Sequence, residues 1–304
     1  MTLLYVGVFH SFTTLMTTID NPKKPNGQIV AAQNELSILF YLHRFGWLRT
    51  RDLADLVWRK SISNESAITM AQRTLKRLKD ARQVLYRIAP DGATVFALSR
   101  AGAMRLGDEK GILARSGKDL LRELGNYAHR CNANDFAINQ IFADKNIWTE
   151  REIQAGQAPI RTVMRKVPDG LMDITEEQNR EFHLALAWVE VERGYKKARD
   201  FNKMMHFAFS VLGELDSQGR PLTEMYEAYE KNVSGMVNIG DVIIQIDTKS
   251  QQERIVNAVR DTKKSRPYDY GWVNVLHGLY LCFRQGADLY RMGDLLGELE
   301  SDGT

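Results

Sequence analysis

Apolar positions first recur at helical spacing from Asn34, where Leu36, Leu39, Phe40 and His43 share a face and Gly46 ends the run. Thr50 has the chemistry of an N-cap for a second helix through Leu53, Leu56 and Val57. A third helix is predicted from Glu65 to Lys79. Ile68, Ala71, Leu75 and Leu78 turn inward, and Thr69, Gln72, Arg73, Lys76 and Arg77 take the other face. Val84–Ile88 and Thr94–Leu98 then read as strands around Pro90-Asp91-Gly92, a hairpin signal. Ser99 caps a short helix ending near Gly107, and residues 107–118 read as a connector. Ahead of all this, residues 1–33 read as a loose segment, because Asp20 to Gly27 is a run of breakers.

The pattern changes beyond the connector. Leu120 to His129 is helical, and Asn132 or Asn134 can cap a helix through Phe142. Ile147 to Ile153 alternates like a strand, with Trp148, Glu150 and Glu152 on one face. A short apolar run starts at Val167-Pro168-Asp169. A second, Ala185 to Val189, is apolar on both faces, as in a covered central strand, and leads into Glu190 and Glu192. Tyr195 to Leu212 is an amphipathic helix, with Phe201, Met204, Met205, Ala208 and Leu212 on its apolar face. Further on come a turn at Gln218–Pro221, a helical piece at Met225–Tyr229 and a buried strand at Gly240–Ile246. A helix at Gln251–Asp261, a strand-like run at Val273–Phe283 and an acidic tail from Gly293 follow. Strands alternating with helices give an α/β (α+β) chain.

Charge sharpens this division. The net charge of the 304 residues is only +3. Residues 34–130 hold 18 Lys and Arg against 10 Asp and Glu, a net +8, while residues 131–304 hold 21 against 27, a net −6. A basic first half suits a polyanion, and an acidic second half suits a cation. Three helices ending in a basic one, followed by a hairpin, is the layout of a winged helix-turn-helix, whose third helix enters the major groove. There Gln72, Arg73, Lys76 and Arg77 face DNA, the first three toward base edges, and Lys79 and Arg82 reach phosphates. The same residues would also suit a solvated surface helix, and such modules also dock proteins.

The acidic half carries the candidate chemistry. Residues i and i+2 of a strand share a face, so Glu190 and Glu192 point together. If the Asp169 strand pairs beside theirs, three carboxylates converge, and they stay ionised only around a cation. Hard ions such as Mg²⁺ or Mn²⁺ take such ligands and serve phosphodiester cleavage. The bland alternative is a wet strand face. His129 is read as a structural histidine in preference to a metal ligand, and Tyr195 as a helix-start aromatic in preference to a nucleophile. Phosphate-binding loops, dinucleotide glycine motifs and serine elbows do not occur in the sequence. Cys131 and Cys282 lack metal-ligand spacing and read as packing residues of a reduced, cytoplasmic protein. No apolar run is long enough to span a membrane.

His129-Arg130-Cys131-Asn132-Ala133-Asn134-Asp135, then Pro168-Asp169-Gly170, then Glu190-Val191-Glu192-Arg193-Gly194 resemble, in order and spacing, the replication-relaxation family, which includes the MobC-type plasmid relaxases. The resemblance covers residues 34 to 210. It implies a winged helix-turn-helix domain over 34–118 and a PD-(D/E)XK nuclease-like domain with a C-terminal extension over 119–304. It makes Asp169 and Glu190 metal ligands, with Glu192 where the pattern normally has Lys and Lys196 as the cation reaching back. Glu150 or Glu152 is a weaker addition. The expected activity is metal-dependent nicking of double-stranded DNA in plasmid or mobile-element mobilisation or in replication initiation. A homodimer and other mobilisation or replication proteins are further candidate partners. The alternative is a non-enzymatic DNA-binding regulator whose degenerate nuclease fold serves dimerisation or partner binding.

Overall fold

A computed structural model describes residues 26–60, 62–122, 126–162, 165–176, 183–194, 197–213, 236–265, 271–284 and 286–297. They fall into two compact units, divided after Arg122, and the chain is mixed α/β with a mixed sheet in the second. The expected helix at Met225–Tyr229, and Tyr195 and Lys196, lie outside the described residues.

Unit 1 runs α1 (Gly27–Phe45), β1 (Trp47–Arg49), α2 (Thr50–Trp58), α3 (Asn64–Asp80), β2 (Val84–Ile88), β3 (Thr94–Leu98), α4 (Arg100–Lys110) and α5 (Asp119–Arg122). Helix α1 starts earlier than its apolar stripe, because the Asn26 side chain accepts the Gln28 N–H at 3.0 Å and caps it. Thr50 is inside α2 and does not cap it. Arg49 holds the cap position, and the Asp52 carboxylate takes both its backbone N–H and its guanidinium at 2.8 Å. Both side chains are buried, so removing the acid would strand a buried cation, at about 3–5 kcal/mol. In α3 the inward stripe is Ala67, Ala71, Thr74, Leu75 and Leu78. Ile68 is exposed, one residue and so about 100° off that stripe.

Strand β3 is central in an antiparallel β1-β3-β2 sheet, which leaves β2 at an edge. The hairpin tip closes on Asp91, whose side chain accepts the Ala93 N–H, and on Gly92 at φ 82°. Leu39, Leu42, Phe45, Trp47, Leu48, Leu53, Leu98 and Leu106 form the core.

Unit 2 runs α6 (Tyr127–Phe142), β4 (Ile147–Thr149), α7 (Glu150–Gln154), β5 (Gly170–Asp173), β6 (His183–Val191), α8 (Ala198–Gly213), β7 (Met236–Ile246), α9 (Lys249–Ser265), α10 (Gly271–Gly278), β8 (Leu279–Phe283), β9 (Leu289–Arg291) and α11 (Met292–Leu296). The six strands lie in chain order. β4, β5 and β6 form an antiparallel meander, β6, β7 and β8 are parallel, and β9 returns antiparallel. Leu186, Ala187, Trp188, Val189, Val242, Ile243, Ile244 and Ile246 are buried whichever face they take, as central parallel strands require.

Three expectations of the sequence are corrected here. Helix α6 is unbroken, and Asn132 and Asn134 are buried within it, so neither caps a helix. Only Ile147–Thr149 of the alternating run is strand. Thr149 caps α7, with its hydroxyl accepting the Glu152 N–H while Glu152 accepts the Thr149 N–H, a reciprocal cap that turns the chain into a helix. The run from Val273 is helix as far as Gly278, and only its second half is strand.

Candidate functional site

The antiparallel register of β5 on β6 ends with Gly170 beside Val189, which leaves Asp169 and Glu190 just past the last pair. The Asp169 N–H donates to the Val189 carbonyl at 3.0 Å, and its Oδ2 accepts the Val191 N–H at 2.8 Å. These bonds depart from the ladder's register by one residue and hold the Asp169 carboxylate against the end of β6. Asp169 lies near enough for its negative charge to act on the Glu190 carboxyl, so two acids share the end of the meander.

Each acid has a cationic or protonatable partner. His129 of α6 lies with Nε2 2.9 Å from Asp169 Oδ1. The Lys166 ammonium is 2.8 Å from Glu190 Oε2, and the indole N–H of Trp188 donates to Glu190 Oε1 at 2.6 Å. Lys166 also sits over the ring of Phe207 from α8, 4.6 Å from its centroid, and that ring packs 4.8 Å from Trp188. Glu190 is therefore enclosed by aromatic carbon on the side of α8. Burial, and then the negative charge of Asp169, hold its carboxyl above the usual carboxylate range, and Lys166 offsets this only in part. The hydrogen bond to Asp169 raises the His129 imidazole against the opposing effect of its burial.

The remaining expected residues lie around this pair or apart from it. Glu150 starts α7 and is bound by Arg130 at 2.8 Å, and Glu152 is used in the α7 cap. Glu192 is buried, but its neighbours are others. It lines a small hollow with Phe201 and Met204 of α8 and Gln251, Arg254 and Ile255 of α9. Among the described residues no group of three His, Cys, Asp or Glu side chains is placed to hold a metal ion. Lys166 is the residue that sequence reasoning missed. Its only signal was a cation three positions ahead of Asp169, and nothing in the pattern said that the chain folds back there onto β6.

On unit 1, Gln72, Arg73 and Lys76 are exposed on α3. Successive steps of about 100° put Gln72, Lys76 and Lys79 on one stripe, with Arg73 at its flank. Arg77 belongs to the far side, where it is held by Glu35 of α1 at 2.9 Å. Arg82 follows the C-terminus of α3 in the left-handed region, at φ 56°, and its carbonyl accepts the Ser99 hydroxyl at 2.6 Å. No family model, curated protein or solved structure matches the chain.

Proposed function

We propose that the chain is a two-part DNA-processing protein. Unit 1 acts as a winged helix-turn-helix that binds a duplex through α3, and unit 2 as a PD-(D/E)XK-like nuclease domain that nicks one strand with Mg²⁺ or Mn²⁺. The observation that carries this reading is the closeness of Asp169 and Glu190 at the strand ends, with Lys166 in contact with Glu190. The order of helix, antiparallel meander, helix and parallel strand over α6 to β7 supports it as well. For unit 1 the support is the order of three helices and a hairpin, together with the exposed Gln72–Lys76–Lys79 stripe.

The acids fit such an ion in a particular way. Mg²⁺ needs only one or two protein carboxylates and takes its other ligands from water and phosphate. Two opposed carboxylates, one of them destabilised by the other's charge, are the donor set that a dication relieves. Asp169 and Glu190 would hold it, and Glu192 would not complete the set. A bound ion would neutralise charge on the scissile phosphate and acidify the attacking water. The protein's own groups would do the rest. Lys166 supplies a positive charge beside Glu190 that would attract a phosphate oxygen, and thus takes the part assigned by sequence to Lys196. His129 orients Asp169 through the contact of Nε2 with Oδ1, and that contact raises the basicity of its imidazole.

One observation favours a second reading, a DNA-binding regulator without catalysis: both acids already have a cationic or protonatable partner. Nicking of supercoiled plasmid in Mn²⁺ separates the two. The nuclease reading expects relaxed circles from the native chain, at least roughly a hundredfold fewer from Asp169→Ala, and unchanged duplex binding. Absence of nicking by the native chain, with duplex binding retained, would establish the regulator instead.

A further inference from the structure

Unit 1 carries a second feature on the other side of Lys79. The outer edge of β2, the C-terminal end of α3 and the segment around α5 enclose a groove of about 620 Å³. Its floor is apolar, from Val84, Leu85 and Leu121 with the ring of Tyr86. Its rim is cationic, from Lys79, Arg82, Arg87, Lys118 and Arg122, and among the described residues no acid lines it. Asp119 stands nearby, 3.1 Å from Arg122 in an exposed pair, and leaves the rim strongly positive.

The groove is built by specific bonds. Arg87 donates to the Leu121 carbonyl at 3.2 Å and fastens β2 to α5. The Gly117 N–H donates to the Leu98 carbonyl at 3.1 Å, which holds the start of this segment on the end of β3. Gly117 stands at φ 126°, where a side chain would be strained. Tyr86 is half exposed, and Lys79 lies over its ring at 3.9 Å from the centroid.

We propose that this groove binds a single strand of nucleic acid. An apolar floor under a ring of cations fits a ligand with flat apolar faces strung on a polyanionic backbone, which describes unpaired bases on their phosphates. A concavity of this size admits a few nucleotides of a single strand, whereas the α3 stripe is the face offered to a duplex. Lys79 belongs to both surfaces, so a strand leaving a duplex on α3 would pass directly into the groove. The inference rests on unit 1 being the nucleic-acid-binding half of the protein.

The test is fluorescence anisotropy of the full chain with labelled oligothymidylate and with labelled duplex, across a salt series. The groove variants are Lys118→Glu with Arg122→Glu, and Tyr86→Ala; the α3 comparison is Gln72→Ala with Lys76→Glu. All these side chains are exposed, so the fold is retained. The double charge reversal should weaken oligothymidylate binding at least about tenfold. Its salt slope should become shallower by about 1.4, at about 0.7 for each single-strand phosphate that is no longer neutralised. Tyr86→Ala should weaken it about fivefold or more by removing a stacking surface. Duplex affinity should change less than about threefold in the groove variants and fall in the α3 variant. Oligothymidylate binding that is absent in the native chain, or unchanged in the groove variants, overturns the proposal. So does an equal loss of both ligands in every variant, which would mean one diffuse basic field. If the duplex does not bind while oligothymidylate binds through the groove, the duplex reading fails and the groove stands.

Discussion

Glu190 sits where a carboxylate is poorly accommodated, behind Trp188 and Phe207 and within reach of the Asp169 charge. Its acidity is suppressed, so the folded protein favours the protonated form and the ionised form weakens the fold at neutral pH. Glu190→Gln keeps an acceptor for the Trp188 indole and leaves Lys166, a third exposed, free to turn to water. It should raise the Tm of unit 2 at pH 7 to 8, by about 0.5–2 kcal/mol of stability. Because the folded value lies above the unfolded one, the advantage should narrow as pH falls through the raised value toward the ordinary glutamate range. Thermal melts across that pH range check this, and a variant less stable than the native chain at pH 7 would contradict it. Asp169 and Glu190 were legible in the sequence because each stands at the end of a short apolar run, and strand ends are where sheets present such groups. Lys166 and His129 were not, since their partnership with the acids exists only once α6 and the chain ahead of β5 fold over the meander. The surroundings of Glu192 were not legible for a related reason. Alternation along β6 fixes its face, but α8 and α9 decide what it meets.

The elements show which signals travel well through a sequence. The helices and hairpin of unit 1 were readable because apolar spacing, a basic helix and a turn dipeptide agree. The α7 turn was not, because Glu150 and Glu152 satisfy a strand pattern and a helix-start pattern equally, and the reciprocal Thr149–Glu152 cap decides it. Close approach of backbones is likewise silent in sequence. Gly102, in the first turn of α4, lies so near residue 83 that an added Cβ would be 2.1 Å from the Gln83 carbonyl oxygen. The same segment receives the Ser99 hydroxyl at Arg82, so the carbonyl has little room to withdraw. Gly102→Ala, a mild change in most helices, should therefore destabilise unit 1 by about 1–3 kcal/mol. Urea unfolding followed by circular dichroism measures it, and a neutral or stabilising result would mean that α4 is free to move away from β2.

For the whole molecule, a basic region is followed in sequence by an acidic one, and the structure divides after Arg122 into two units, each with its own core. Among the described residues no helix is long and apolar enough to cross a membrane. In the proposed account α3 and the groove hold nucleic acid, and Asp169 and Glu190 of unit 2 bind a dication. The most direct measurement of that claim is calorimetric titration of Mn²⁺ into the native chain and into Glu190→Gln. The account predicts saturable binding at one site in the native chain and its loss in the variant, with the fold of both confirmed by their melts. No binding in either protein, or equal binding in both, would contradict a metal site at Asp169 and Glu190 and with it the nuclease reading.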